Sequence, residues 1–350
     1  MRDDAMTDAA LEELAAYGPD LRNGLTSHAP MVVDALAALG GSDAVFPWLA
    51  HYRPQLLPHP TPHEPIPPAG YASVFGREDR FADWEAFFAN ELANAPWPDV
   101  LRTWVPRLAP AVCASAAHGV IRTGHAVRSL AHRDTPVRVR ELAAGLGYWA
   151  AAYQTLPTRR TGARGAPARD AIDTVPMVPP SERRFDGTIV SSLASLDAFA
   201  PFAGTIELLD VTHDPASVLS EIAETFARVF LTNAHDTLGA IVFVHAVTSV
   251  SALRSLLPYV DADAARDATA YAWQTGCALY ATFGSSPPAR DPIAPVSLAM
   301  LADRAIAHGD DHAIKFTEAC LREDALAPSA AFAAAADRAL SLLVPAAPIP

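Results

Sequence analysis

Leu238-Gly239-Ala240-Ile241-Val242-Phe243-Val244-His245-Ala246-Val247-Thr248-Ser249-Val250-Ser251-Ala252-Leu253-Arg254-Ser255-Leu256-Leu257 reads as one helix. Ile241, His245, Thr248 and Ala252 recur along it at helical spacing, and apolar residues fill most other positions. The segment is therefore expected inside a core, with the His245 imidazole buried in it.

The same period returns at 215–230, 262–283, 296–307, 312–323 and 328–343. Earlier in the chain it marks 5–17, 25–39, 79–93, 101–132 with breaks at Pro106 and Pro110, and 137–153. Ala and Leu are abundant, and the alternation of β-branched residues that marks strands is scarce. The expected fold is all-α, with residues 1–350 forming one large helical domain or two closely packed helical halves. Gly204-Thr205-Ile206-Glu207-Leu208-Leu209 is the one segment with the makings of a short strand. Loops or lids are expected at 53–70, which holds seven prolines, and at 157–184, where Arg, Gly and Pro repeat. Residues 344–350 are expected to be a tail.

With 350 residues, 51% of them hydrophobic, the chain can bury a large core. A formal net charge of −13 argues against a nucleic-acid or anionic-membrane partner and favours a small molecule or a protein. The start Met1-Arg2-Asp3-Asp4-Ala5-Met6 is acidic with no apolar run after it, which predicts a soluble, cytoplasmic protein. Cys113, Cys277 and Cys320 are odd in number and far apart, so they read as small buried apolar residues.

Twelve histidines are present, and the informative ones sit on apolar helix faces. His28 shares a stripe with Val32, Leu36 and Leu39. His118 shares one with Arg122 and His125 through the i, i+4, i+7 relation. His312 lies three residues before Lys315, on a helix that Asp310 or Asp311 is placed to cap. His51, His59 and His63 fall in or beside the proline-rich segment and are read as solvated, and His308 as a loop residue. Trp273, Cys277 and Tyr280 share one helix face; with Trp104, Tyr148 and Trp149 they are core residues and candidate pocket walls.

One buried imidazole is ordinarily a core residue satisfied by a carbonyl or water. Four of them, His28, His118, His245 and His312, on four separate helices suit a metal ion held inside a helical bundle. Nitrogen donors with a weak oxygen fit iron, copper, nickel or zinc, and an open position would suit iron working with dioxygen.

Lys315 is the only lysine; the other 25 of the 26 Lys+Arg residues are arginine. Arginine cannot supply a neutral amine, so a lone lysine is a chemical suspect. Beside a cation it must lose its proton, either as a carbamate formed with carbon dioxide or as a neutral amine open to Schiff-base or general-base chemistry. The bland alternative is a helix-face lysine paired with Asp311 or Glu318.

Asn23-Gly24-Leu25-Thr26-Ser27-His28, His118-Gly119-Val120-Ile121-Arg122-Thr123-Gly124-His125-Ala126, His245-Ala246-Val247-Thr248 and Asp311-His312-Ala313-Ile314-Lys315-Phe316-Thr317-Glu318-Ala319 together resemble the questin oxidase-like family, over about residues 9–323. The resemblance implies an oxygenase that opens an aromatic ring of an anthraquinone-like polyketide with dioxygen, by Baeyer-Villiger-like or dioxygenase chemistry. It also implies NADPH as an external reductant and non-haem iron held by His28, His118, His245, His312 and a modified, carboxylated Lys315. Where this chain has Arg122 and His125, fungal relatives carry a histidine and an aromatic residue. Both positions are expected to face the pocket as catalytic residues, with His125 an understudy for His118.

Gly145-Leu146-Gly147-Tyr148-Trp149-Ala150 matches GxGxxA but lies in a helical pattern after no strand, so no built-in nucleotide fold is expected. GxSxG, HExxH and P-loop motifs are absent. The leading expectation is an iron-dependent oxygenase acting on a flat aromatic or quinone substrate. A metal-free Lys315 enzyme and a non-catalytic binder of an aromatic ligand are the rival readings.

Overall fold

The structure, a computed structural model, describes residues 3–346. Of the expected tail, 347–350 lie outside the described residues. The helices are α1 (Asp4–Leu14), α2 (Ala29–Ala38), α3 (Val45–Tyr52), α4 (Phe81–Asn94), α5 (Trp97–Leu108), α6 (His118–His132), α7 (Pro136–Ala151), α8 (Ala168–Ala171), α9 (Ile189–Leu193), α10 (Pro215–Asn233), α11 (Thr237–Arg254), α12 (Ala262–Phe283), α13 (Leu301–His308), α14 (Asp311–Leu326) and α15 (Ala330–Leu342). Among the described residues the one sheet is an antiparallel pair, β1 (Tyr17–Leu21) and β2 (Leu56–Pro58). The fold is all-α.

Acidic side chains set several helix starts. Asp214, Asp236, Asp261 and Asp310 each accept from a backbone N–H in the first turn of α10, α11, α12 and α14. α11 sits centrally, packed against α6, α10, α12 and α14. With the turn after it (Thr237–Tyr259), it is long and apolar enough to cross a membrane, yet 78% of its apolar window is buried inside this fold. Two glycines bring α6 close to its neighbours. A Cβ on Gly119 would meet Trp149 Cα of α7 at 2.8 Å, and one on Gly124 would meet the Ala252 carbonyl oxygen of α11 at 2.5 Å. That close approach carries His118 to the α11 face bearing His245.

The apolar core forms one large cluster and a smaller one built from α1, α2, α3, the two strands and Ile314. α14 contributes to both, through Phe316 and Ile314. The proline-rich segments are clipped to this body: the N–H groups of His63 and Glu64 donate to Asp83 Oδ1, and Val178 N–H donates to the Ala281 carbonyl.

Several sequence expectations need correction. Residues 204–209 are not a strand: a 3-10 helix covers Ala200–Glu207, its first turn preset by Pro201, and only Leu209 bridges to Ala166. The 25–39 helix begins at Ala29, because Gly24 (φ +80°) and the hydrogen bonds of Leu21 and Ser27 close a turn before it. His28 is thus the cap residue of α2, not an interior one. Pro106 does not break α5; it and Arg102, whose carbonyl loses its partner, lie on the solvent face where water serves. The real interruption in 101–132 falls at 109–117. The 5–17 helix stops at Leu14 and Tyr17 enters β1, while the 296–307 helix starts only at Leu301, after Pro292 and Pro295. His59 is half-buried and bonds Glu85 at 2.5 Å, and His308 closes α13.

Candidate metal centre

His28, His118, His245 and His312 meet at one point inside the body. His28 Nε2 and His118 Nε2 are 2.6 Å apart, and His118 Nε2 and His245 Nε2 are 3.2 Å apart. Ring centroids lie 4.6 Å apart for His28 and His312 and 5.5 Å for His245 and His312. One ring nitrogen from each of His28, His245 and His312 lies within 4.8 Å of the other two.

The far side of each ring explains the arrangement. His245 Nδ1 donates to the Ile241 carbonyl at 2.6 Å, and His118 Nδ1 donates to the Ser115 carbonyl. A carbonyl only accepts, so each Nδ1 carries the proton. Burial, with the neighbouring imidazoles and Lys315, holds both rings well below the ordinary histidine range. A neutral imidazole has one proton, so both Nε2 atoms are bare. Two buried lone pairs 3.2 Å apart with no proton between them repel, unless a cation sits where they converge.

Asp311 serves the other two rings, with Oδ2 2.9 Å from His28 Nδ1 and Oδ1 2.8 Å from His312 Nδ1. The His28 contact has the distance but not the angle of a hydrogen bond, so Asp311 acts on that ring as a charge. Burial and then the Lys315 charge take the His28 ring down to about 3, against the pull of Asp311, so that ring is neutral and carries one proton. Burial alone would raise the Asp311 carboxyl, but His28 and His312 hold it well below the usual range. Asp310 is left to cap α14, accepting from Ala313 N–H at 2.8 Å. Tyr52 accepts from the His28 backbone N–H at 3.1 Å.

Lys315 lies one helical turn past His312 and is 3% exposed. Among the described residues it has no carboxylate within ion-pair distance, because Glu318 is taken by Arg128 and Arg322. Burial lowers the Lys315 amine to about 8, although Asp311 and Asp310 pull the other way. A neutral amine is thereby accessible near pH 7.

The turn before His118 is unusual. Ser115, Ala116 and Ala117 have φ of 48°, 54° and 68°, three consecutive left-handed residues without a glycine. Each costs on the order of 1–2 kcal/mol. The run delivers the Ser115 carbonyl to the His118 ring.

Arg122 and His125 are not drawn into the cluster. Arg122 forms a double hydrogen bond with Glu141, Nε to Oε1 at 2.7 Å and Nη2 to Oε2 at 2.9 Å. His125 Nδ1 bonds Asp34 Oδ2 at 2.9 Å, within a buried ionic layer where Arg128 bridges Asp34 and Glu318. A geometric reason separates them: seven residues along α6 is about 10 Å of axial rise, which takes His125 past the plane of the four rings. Trp104, Trp149, Trp273 and Cys277 are core residues, and Tyr280 donates to the Ser286 carbonyl. All three cysteines are free and buried. A cleft of about 290 Å³ lined by Arg159, Thr161, Arg164, Gly204 and Glu207 contains none of these histidines. The roles of Asp311 and of a Thr26, Ser115 and Tyr148 hydroxyl contact went unread in the sequence; adjacency to His312 was the available signal for Asp311.

Fold and site together define an all-α protein with a cluster of four imidazoles drawn from four separate segments, three of them buried and His312 partly exposed. The chain belongs to the Questin oxidase-like family, which matches residues 25–320, a span containing all four histidines and Lys315. No curated protein matches it.

Proposed function

We propose that this protein is an oxygenase of aromatic, quinone or polyketide-like compounds, with non-haem iron(II) held by His28, His118, His245, His312 and a carboxylated Lys315. The observation that carries this reading is the pair of bare Nε2 atoms of His118 and His245, 3.2 Å apart in a buried site. Family membership supports the oxidase chemistry. When bound, iron(II) supplies the redox chemistry that lets dioxygen react with a closed-shell aromatic.

The residues have distinct tasks. The Ser115 and Ile241 carbonyls and Asp311 hold the ring orientations. Neutral Lys315 attacks carbon dioxide through its lone pair and releases one proton to solvent, giving a carbamate monoanion that adds an oxygen donor. Burial of His28, His118, His245 and Lys315 would keep most water from the ion.

The two reaction types differ in electron balance. Ring cleavage by a dioxygenase puts both oxygen atoms into product and uses no external reductant. A Baeyer-Villiger-like insertion puts in one, reduces the other to water, and takes two electrons from NADPH. That NADPH would act from outside, since Gly145-Leu146-Gly147-Tyr148-Trp149-Ala150 lies within α7 and not in a strand-turn-helix.

The test is elemental analysis of protein prepared without chelator or a nickel affinity step. About one iron per chain in the wild type and almost none in His245→Ala supports the reading. A wild type that neither contains nor takes up iron overturns it and moves the chemistry to the Lys315 amine.

A further inference from the structure

Thr26, Ser115 and Tyr148 form a closed triangle of hydroxyls. Tyr148 OH lies 2.7 Å from both Thr26 Oγ1 and Ser115 Oγ, and those two lie 3.1 Å apart. The three residues come from three separate segments, and two of those segments carry cluster histidines. Thr26 is two residues before His28, and Ser115 is three before His118. Each hydroxyl can donate once and accept once around the ring, so the triangle is self-satisfied. Tyr148 is 6% exposed and is seated on rigid α7, whose next residue, Trp149, meets Gly119 and donates its indole N–H to the Ala111 carbonyl. α7 thus grips both ends of the left-handed run 115–117.

We propose that Tyr148 is a positioning residue for the histidine cluster, its hydroxyl clasping the His28 and His118 segments through Thr26 and Ser115. Without it, nothing among the contacts described above ties Ser115 Oγ to α7, and a run of three left-handed residues has a ready route to relax. Relaxation moves the Ser115 carbonyl, and with it the His118 ring it holds. The clasp thus sets the separation of His28 and His118 from outside the cluster. This inference rests on the metal-site reading for its function, but its geometry does not.

The experiment compares wild type with Tyr148→Phe, which keeps the ring and deletes only the hydroxyl. Three measurements are made: iron affinity by competition with a chelator, the visible spectrum of the cobalt(II)-substituted protein, and amide hydrogen exchange over 115–118. The expected result is an affinity loss of about 10- to 100-fold, the range typical of residues that orient metal ligands, with an altered cobalt spectrum and faster exchange. Thr26→Val, a milder change at a half-buried position, should move all three in the same direction by less. Adding Ala116→Gly, which removes the left-handed cost at one of the three positions, should restore part of the lost affinity. Unchanged affinity and spectrum in Tyr148→Phe overturn the clasp, whatever happens to the melting temperature, and so does a double variant no better than the single. If the wild type takes up no metal, the metal reading falls by itself. Hydrogen exchange then decides the clasp: faster exchange upholds the held turn, and unchanged exchange overturns it.

Discussion

His118 and His125 stand on one helix, seven residues apart and each 7% exposed, yet their surroundings differ in kind. The His118 ring gives its proton to a carbonyl and points a bare nitrogen at the bare Nε2 of His245 and at His28 Nε2. The His125 ring faces Asp34, which Arg128 already neutralises, inside a layer where every charge meets an opposite one. The first region sets the unprotonated nitrogens of His118 and His245 against each other; the second balances its charges internally. Burial therefore does not separate a ligand histidine from a structural one. The inventory of acceptors and donors around the ring does.

The largest effect that would break this comparison comes from paired substitutions on α6. His118→Ala should abolish iron retention, while His125→Gln should leave about one iron per chain. Equal metal content in both variants, high or low, would erase the distinction. Lys315→Arg comes next. It keeps a positive charge but cannot form a carbamate or a neutral amine near pH 7, so iron content should fall to near zero with the helical circular dichroism spectrum unchanged. Full iron and full activity in that variant would return Lys315 to the status of an ordinary buried lysine.

Arg128→Met probes the other region. It removes the guanidinium shared by Asp34 and Glu318, leaving Glu318 with Arg322 and Asp34 with His125, and should cost up to about 3–5 kcal/mol of stability by urea denaturation. Because the layer is self-contained, the surviving folded fraction should still hold iron. Loss of iron without loss of stability would show that the ionic layer belongs to the metal site after all.

Much of this was legible in the sequence, and the reasons are local. α11 announces itself by length and period, and His245 follows from the period alone. His118 and His312 were placed by the same argument. His28 was read as inward-facing for a partly wrong reason, since it caps α2 and does not sit within it. What escaped is pairing at long range. Asp34 meets His125 across 91 residues, and Thr26 meets Tyr148 across 122. No spacing rule reaches that far, so His125 looked equivalent to His118 and Arg122 looked free to face a substrate. The left-handed run at 115–117 was hidden because alanine carries no sign of positive φ. The small sheet was missed because β2 lies among prolines that suggest only loop.

The smallest predicted effect is a pH dependence that belongs to His125. Burial, and then the Arg128 charge, lower its proton affinity below the ordinary value, against the pull of Asp34 and Glu318. In the unfolded chain the same ring titrates near 6.5. As pH falls through 6.5 the unfolded state therefore binds a proton that the folded state refuses, so the contribution is full above that pH and shrinks below it. The slope from one such group is at most about 1.4 kcal/mol per pH unit. The check is urea denaturation of chelator-treated wild type and His125→Gln at pH 7.5 and pH 5.5, with metal removed so that ligand loss adds nothing. Wild type should lose more stability between the two conditions than the variant does. Identical losses would mean that His125 takes up a proton in the fold as readily as in the unfolded chain, and a smaller loss in wild type than in the variant would mean that it is protonated in the fold already, as part of a charged triad with Arg128 and the carboxylates.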